Sequence, residues 1–158
     1  MQHIGLGYDV HAFADGRKLI LGGVQIPYEK GLDGHSDADV LVHAIMDALL
    51  GAARAGDIGK YFPDSDPAYK DADSLFLLKE VVQIVQSQGW HIDDIDSVIA
   101  LQAPKISSYR EEMRSNIANA CGIDISQVGL KATTTEHLGF VGKGLGVSAQ
   151  AVCLLSHV

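Results

Sequence analysis

Basic residues are scarce in this chain. Twelve lysines and arginines stand against 20 acidic residues, leaving a formal charge of −8. That balance offers no basic face for nucleic acid, and it repels a phosphorylated ligand unless metal ions or local cations reverse the field. Cysteine is almost missing: Cys121 and Cys153 have no CxxC spacing. This excludes a closed, cysteine-rich structural zinc site and fits buried thiols in a reducing compartment. No apolar run approaches the roughly 18 residues of a membrane span. HExxH is absent, Lys143 is followed by Gly144 rather than the Ser or Thr of a Walker motif, and no GxGxxG follows the first apolar stretch. Met1 leads directly into that stretch, which leaves no space for a signal or transit segment and makes a bacterial cytoplasm the expected location.

What is present is enough for one domain, 1–158, with a sizeable core. In HIGLGYDVHA, residues 3 to 12, Ile4, Leu6, Tyr8, Val10 and Ala12 fall on one parity and His3, Gly5, Gly7, Asp9 and His11 on the other, which predicts a strand. Asp9 and His11 therefore share a face; alone, they read as a solvent-facing polar side. KLILGGVQIPY is predicted as a second strand, bent at Gly22 and Gly23 and paired with the first in a hairpin. HSDADVLVHAIMDALLGAARAG is predicted as a helix capped by Ser36 with Asp39, carrying an apolar stripe of Leu41, Ile45, Ala48 and Ala52 opposite Asp39, His43 and Asp47. A Gly/Pro/Asp-rich loop follows, then a helix over 74–88, a strand stopped by Pro104, a helix opened by Ser108 with Glu111 and closed by Gly122, and two further strands at VGLKATTTE and VSAQAVCLLS. The class is α+β: a mixed β-sheet covered by helices on one face.

His43 adds a third group to Asp9 and His11. Two imidazoles and a carboxylate on a strand and a helix suit zinc, with the fourth tetrahedral position left for chemistry; packed or solvated side chains are the competing reading. Asp39 and Asp47 are either partners that orient His43 or solvated helix charges. His35 and Ser36 precede the helix, where free amides attract anions, although a plain N-cap requires nothing more. KATTTE places Glu136, a hard oxygen ligand, after a threonine run that is otherwise simply a good strand former.

Taken in order, GYDVHAF, GGVQIPYEKGLDGHSDADVLVHAIMDALLGA, GDIGKYFPDSDP, QAPK and KATTTEHLGF make the whole chain resemble the 2-C-methyl-D-erythritol 2,4-cyclodiphosphate synthases. The resemblance implies a homotrimer with sheets packed around its axis and active sites between subunits. It further implies zinc on Asp9, His11 and His43, and magnesium or manganese on Glu136 and the substrate diphosphate. His35, Ser36, Asp64 and Phe62 would contact phosphate and the methylerythritol unit, Asp57 and Gly59 the ribose, and Ala103, Pro104, Lys105, Ala132, Thr133 and Thr134 the cytidine and its phosphate. Phe140 and Lys143 complete the implied substrate contacts, and His35 and Thr134 are the implied catalytic residues. The expected partner is a small cytidine diphosphate substrate, with no nucleic acid and no membrane. At Lys143, Leu145 and Gln150 the chain departs from the Arg, Glu and Glu frequent in relatives, so the forked arginine of the axial cavity is lost. A water-activating zinc hydrolase and a nucleotide-binding trimer without turnover are the competing functions.

Overall fold

Two glycines decide how the first strand meets the rest of the molecule. The computed structural model describes residues 1–157, and in it β1 (Gln2–Ala14) lies directly beneath α1 (Val40–Ala52). A Cβ on Gly5 would sit 1.9 Å from the Ala48 carbonyl oxygen, and one on Gly7 1.8 Å from that of Ala44. Only glycine allows this approach. The polar parity of β1 therefore faces the helix rather than solvent, contrary to the solvent-facing reading, while Ile4 and Leu6 on the apolar parity are 74% and 69% exposed.

β1 lies between β4 and β7 in a five-stranded sheet of order β4-β1-β7-β5-β6, formed with β4 (Gly31–Leu32), β5 (Trp90–Ala100), β6 (Lys131–Thr133) and β7 (Gly146–His157). All pairings are antiparallel except the parallel β5–β6 pair, so the sheet is mixed. The Met1 amino group and the His157 N–H bond each other's carbonyls at 3.2 and 2.9 Å, closing the β1–β7 ladder at one end. α1, α3 (Ser74–Ser87) and α4 (Arg110–Cys121) form the layer above, with Leu41, Ile45, Leu49, Leu78, Ile99 and Met113 fully buried between layers. The helices cover one face, as expected. No helix among the described residues is long and apolar enough to cross a membrane.

Three local expectations are corrected. The second segment pairs with itself, not with the first strand: β2 (Leu19–Leu21) and β3 (Val24–Ile26) form a hairpin whose turn is Gly22–Gly23, with φ of 56° and 74°. Two consecutive positive φ angles are what a type I′ two-residue hairpin turn requires. The cap of α1 is Asp39, not Ser36, because its carboxylate accepts N–H bonds from Gly22, Gly23 and Val42 at 3.0, 2.7 and 3.2 Å. α4 has no side-chain cap from Ser108; a single 3-10 turn at Ser107–Tyr109 precedes it instead.

Burial, together with the neighbouring Asp37 carboxylate, pushes the Asp39 carboxyl up to about 6 against its three backbone donors. A carboxyl raised in the folded chain favours the protonated form there, so its contribution to stability is complete below the ordinary 3.8 and fades as pH rises through about 6. The urea midpoint of the metal-free protein is accordingly expected to rise between pH 7 and pH 5.5; a flat or falling midpoint over that window would contradict this account of Asp39.

Candidate metal centre and substrate cavity

Because Gly5 and Gly7 seat α1 on β1, the next residue on that face, Asp9, comes to lie under His43. Asp9 Oδ2 is 2.8 Å from His11 Nε2 and 3.2 Å from His43 Nδ1, and the two ring nitrogens are 3.4 Å apart. Although these separations fall within ion-pair range, Oδ2 is buried and no N–H points at it with hydrogen-bonding geometry. The His11 ring explains part of this. Its Nδ1 lies 2.8 Å from the Asp33 carbonyl, which can only accept, so Nδ1 carries the hydrogen and, in the neutral ring, Nε2 turns a lone pair toward Asp9. Three electron-pair donors thus converge on one point from a strand and a helix, and a divalent cation fits there. Burial raises the Asp9 carboxyl, but the imidazoles of His11 and His43 outweigh that and bring it to about 2, so it is ionised across the physiological range. Burial lowers His11, and the Asp9 carboxylate beside it more than reverses this, leaving His11 raised.

The trio forms one wall of a cavity of about 510 Å³ that also takes in His35, Ser36, Gly59, Phe62 and Asp64. The long loop is the opposite wall. It is ordered by its own carboxylates: Asp57 caps α2 (Ile58–Tyr61), and Asp66 caps a 3-10 turn at Pro67–Tyr69. It is tied down by the His35 Nε2–H, which donates to the Asp66 carbonyl at 2.8 Å, and by the Asp71 N–H, which donates to the His35 carbonyl at 2.8 Å. Asp57 itself does not line the cavity.

Neither the Asp39 nor the Asp47 carboxylate is hydrogen-bonded to the His43 ring. Asp39 is spent on backbone amides, and Asp47 accepts the Ile58 N–H at 2.9 Å, linking α1 to α2. Both readings of Asp47, as a partner of His43 and as a solvated charge, give way to this structural one; burial pushes its carboxyl up. His43 Nε2 instead meets the hydroxyls of Ser36 at 3.1 Å and Ser74 at 3.0 Å. Ser74 was legible only as a helix start.

The remaining predicted residues gather elsewhere. β5 and β6 run parallel with Ala100 opposite Thr133, so the QAPK and KATTTE segments leave the sheet side by side. Between them Pro104, Lys105, Ala132, Thr133 and Thr134 line a second cavity of about 190 Å³, with Ala103 between the lining residues Gln102 and Pro104. Glu136 is exposed at φ 51°, and Glu136, Phe140 and Lys143 line neither cavity. Within one chain, then, the metal trio and the threonine segment are not brought together.

The family model described as the YgbB family matches residues 2–156. A protein of Chlorobium phaeobacteroides named 2-C-methyl-D-erythritol 2,4-cyclodiphosphate synthase is 58% identical over 152 residues, 96% of either chain. Among solved structures, the bifunctional IspDF of Campylobacter jejuni superposes with a TM-score of 0.96 at 42% identity; the match covers 100% of this chain but only 43% of that one. The Plasmodium falciparum IspF, solved as a CDP complex, matches at TM-score 0.86 and 33% identity over 99% of this chain and 96% of its own.

Proposed function

This chain belongs to the YgbB family, and from that membership and the cavity chemistry we infer how it carries out cyclodiphosphate synthesis on the methylerythritol phosphate route to isoprenoids. The reaction converts 4-diphosphocytidyl-2-C-methyl-D-erythritol 2-phosphate to 2-C-methyl-D-erythritol 2,4-cyclodiphosphate and CMP. The observation that carries the mechanistic reading is the convergence of Asp9 Oδ2, His11 Nε2 and His43 Nδ1, within 3.4 Å of one another, on a cavity shared with His35 and Ser36.

In the proposed site Asp9, His11 and His43 hold zinc, and Glu136 holds magnesium or manganese together with the substrate diphosphate. Bound there, the cations would polarise the diphosphate and would offset the charge that develops on the departing CMP, which an acidic chain could not do alone. An oxygen of the 2-phosphate forms a bond to the β-phosphorus. The bond from that phosphorus to the oxygen shared with CMP breaks, and the electron pair leaves with CMP. No side-chain nucleophile and no net proton transfer are needed.

What the chain supplies is alignment. His35, its Nε2–H engaged by the Asp66 carbonyl, keeps Nδ1 for the substrate, and Ser36 offers its hydroxyl beside it. Asp64 and Phe62 close over the methylerythritol unit, and Asp57 with Gly59 takes the ribose. Ala103, Pro104, Lys105, Ala132, Thr133 and Thr134 take the cytidine and its phosphate, with Phe140 and Lys143 as further contacts. His35, Ser36, Gly59, Phe62 and Asp64 line one cavity of the chain and Pro104, Lys105, Ala132, Thr133 and Thr134 another, which favours a site completed between subunits. The exposed apolar face of β1 and β7, with Ile4, Leu6, Tyr8 and Val152, favours a homotrimer with the sheets against its axis.

Phosphorus NMR of the zinc-loaded protein with this substrate and magnesium tests the reading. A cyclic diphosphate with equimolar CMP is expected. CMP with a linear product would make water the nucleophile, and no change would leave a binding protein. Thr134→Ala is expected to weaken CMP binding by about tenfold, the worth of one hydrogen bond to a charged group, with little change in zinc content. Calorimetry giving the wild-type CMP affinity would remove Thr134 from the cytidine pocket.

A further inference from the structure

Ser74 meets the His43 ring and is in turn bonded to Asp37, and together the two determine how His43 can present itself. The Asp37 carboxylate accepts the Ser74 N–H at 3.0 Å, the Asp39 N–H at 3.1 Å and the Ser74 hydroxyl hydrogen. A serine hydroxyl has one hydrogen, and here it is committed to Asp37. Ser74 is fully buried at the first position of α3. Its Oγ, 3.0 Å from His43 Nε2, can therefore only accept, so Nε2 must carry the ring hydrogen and the neutral ring leaves Nδ1 bare, facing Asp9 and His11.

We propose that Asp37 and Ser74 are positioning residues for the metal trio: acting as a chain, they fix the tautomer and orientation of His43 so that Nδ1 faces the cation. The inference rests on the metal reading given above. The opposite tautomer would need Ser36 to donate to Nε2 from 3.1 Å. That would leave Ser74 Oγ and Nε2 lone pair to lone pair at 3.0 Å in a buried site, whereas the first arrangement sets the bare Nδ1 beside Asp9 Oδ2 and His11 Nε2 at 3.2 and 3.4 Å, where one cation would satisfy all three. Ser36 Oγ, which accepts the Ala38 N–H at 3.2 Å, keeps its own hydrogen for the cavity. The chain is held in register because the Asp37 N–H donates to the Ala72 carbonyl at 3.1 Å, pinning the start of α3 to the segment before α1. His11 achieves the same end through a backbone carbonyl, Asp33; His43 relies on side chains and can be tested by substitution.

Two measurements on the full chain decide the matter: Zn²⁺ affinity by competition with a chromogenic chelator, and the His43 ring signals in long-range proton–nitrogen spectra of the metal-free, ¹⁵N-labelled protein. In the wild type one Zn²⁺ per chain is expected, with Nε2 protonated and Nδ1 bare. Ser74→Ala is expected to bind Zn²⁺ about 10- to 100-fold more weakly and to lose the single-tautomer pattern, and Ser74→Thr, which restores the hydroxyl, to recover both. Asp37→Ala frees the Ser74 hydrogen to turn toward Nε2 and is expected to populate the other tautomer, so the question can be answered even if Ser74→Ala fails to fold. Wild-type affinity and an unchanged tautomer in either folded variant would overturn the proposal. A wild-type chain that binds no Zn²⁺ but shows the predicted tautomer would defeat the metal reading while leaving the hydrogen-bond chain intact.

Discussion

His43→Ala is expected to lose both bound zinc and turnover while remaining folded. Removing one of the three candidate ligands leaves Asp9 and His11 with a site of two donors, and in the proposed mechanism a cation would no longer be held where the diphosphate is to be polarised. If that charge stabilisation is worth about 4 kcal/mol, turnover falls on the order of 10³-fold. The fold should survive because the Ser74 hydroxyl keeps its bond to Asp37 when the ring is gone. The approaches of Nε2 to Ser36 and Ser74 and of Nδ1 to Asp9 and His11 disappear with the ring, at a cost of about 1–3 kcal/mol against a typical stability of about 5–15 kcal/mol. Zinc content, product formation by phosphorus NMR and circular dichroism on one preparation check all three parts. Full turnover in a zinc-free His43→Ala protein would remove the cation from the mechanism.

Gly7→Ala is expected to have the largest effect on stability. Its new Cβ would stand 1.8 Å from the Ala44 carbonyl oxygen and 2.8 Å from the Ala48 nitrogen, both backbone atoms of a helix whose other sides are buried. No rotamer relieves the clash, so either β1 or α1 must move. The expected loss is above about 4 kcal/mol, outside the range of ordinary substitutions. A chain that still folds does so by lifting α1, which separates Asp9 from His43 and weakens zinc binding as well. Gly51→Ala, on the same helix with nothing within 4 Å of the added carbon, is the matched control and is expected to stabilise by about 0.5–1 kcal/mol. Urea midpoints of the two variants check this; equal midpoints would mean the helix is not seated by the glycines.

The metal trio was legible because strand parity and helical spacing are local: Asp9 and His11 had to share a face, and His43 had to project from one helix. Which face of β1 turns inward was not legible. Parity separates two sets without saying which is covered, and the contact is made by Gly5 and Gly7, which have no side chain to announce it. The cap of α1 failed for a different reason. Ser36 and Asp39 both precede the helix at plausible spacing, and the choice falls to the amides of Gly22 and Gly23, which no local pattern connects to residue 39. Ser74 could not be read as a partner of His43, since the two are 31 positions apart and meet only through packing of α3 on α1. Glu136, taken from the family resemblance, lies away from the trio within one chain, as expected if a neighbouring copy supplies the other half.

The bonds between Met1 and His157 make the β1–β7 ladder continuous at the end of β1 away from Asp9 and His11. Seen from the cavity, the chain is close to a ring: where it is cut is incidental to where its chemistry sits. From residue 1 to residue 9 an extended strand covers about 26 Å, so anything joined to Met1 is attached roughly that far from the Asp9 side chain. A short linker between the two ends, with a new opening at the Asp15–Gly16 turn, where an added Cβ meets nothing within 4 Å, would keep every strand neighbour and leave Asp9, His11 and His43 facing one another.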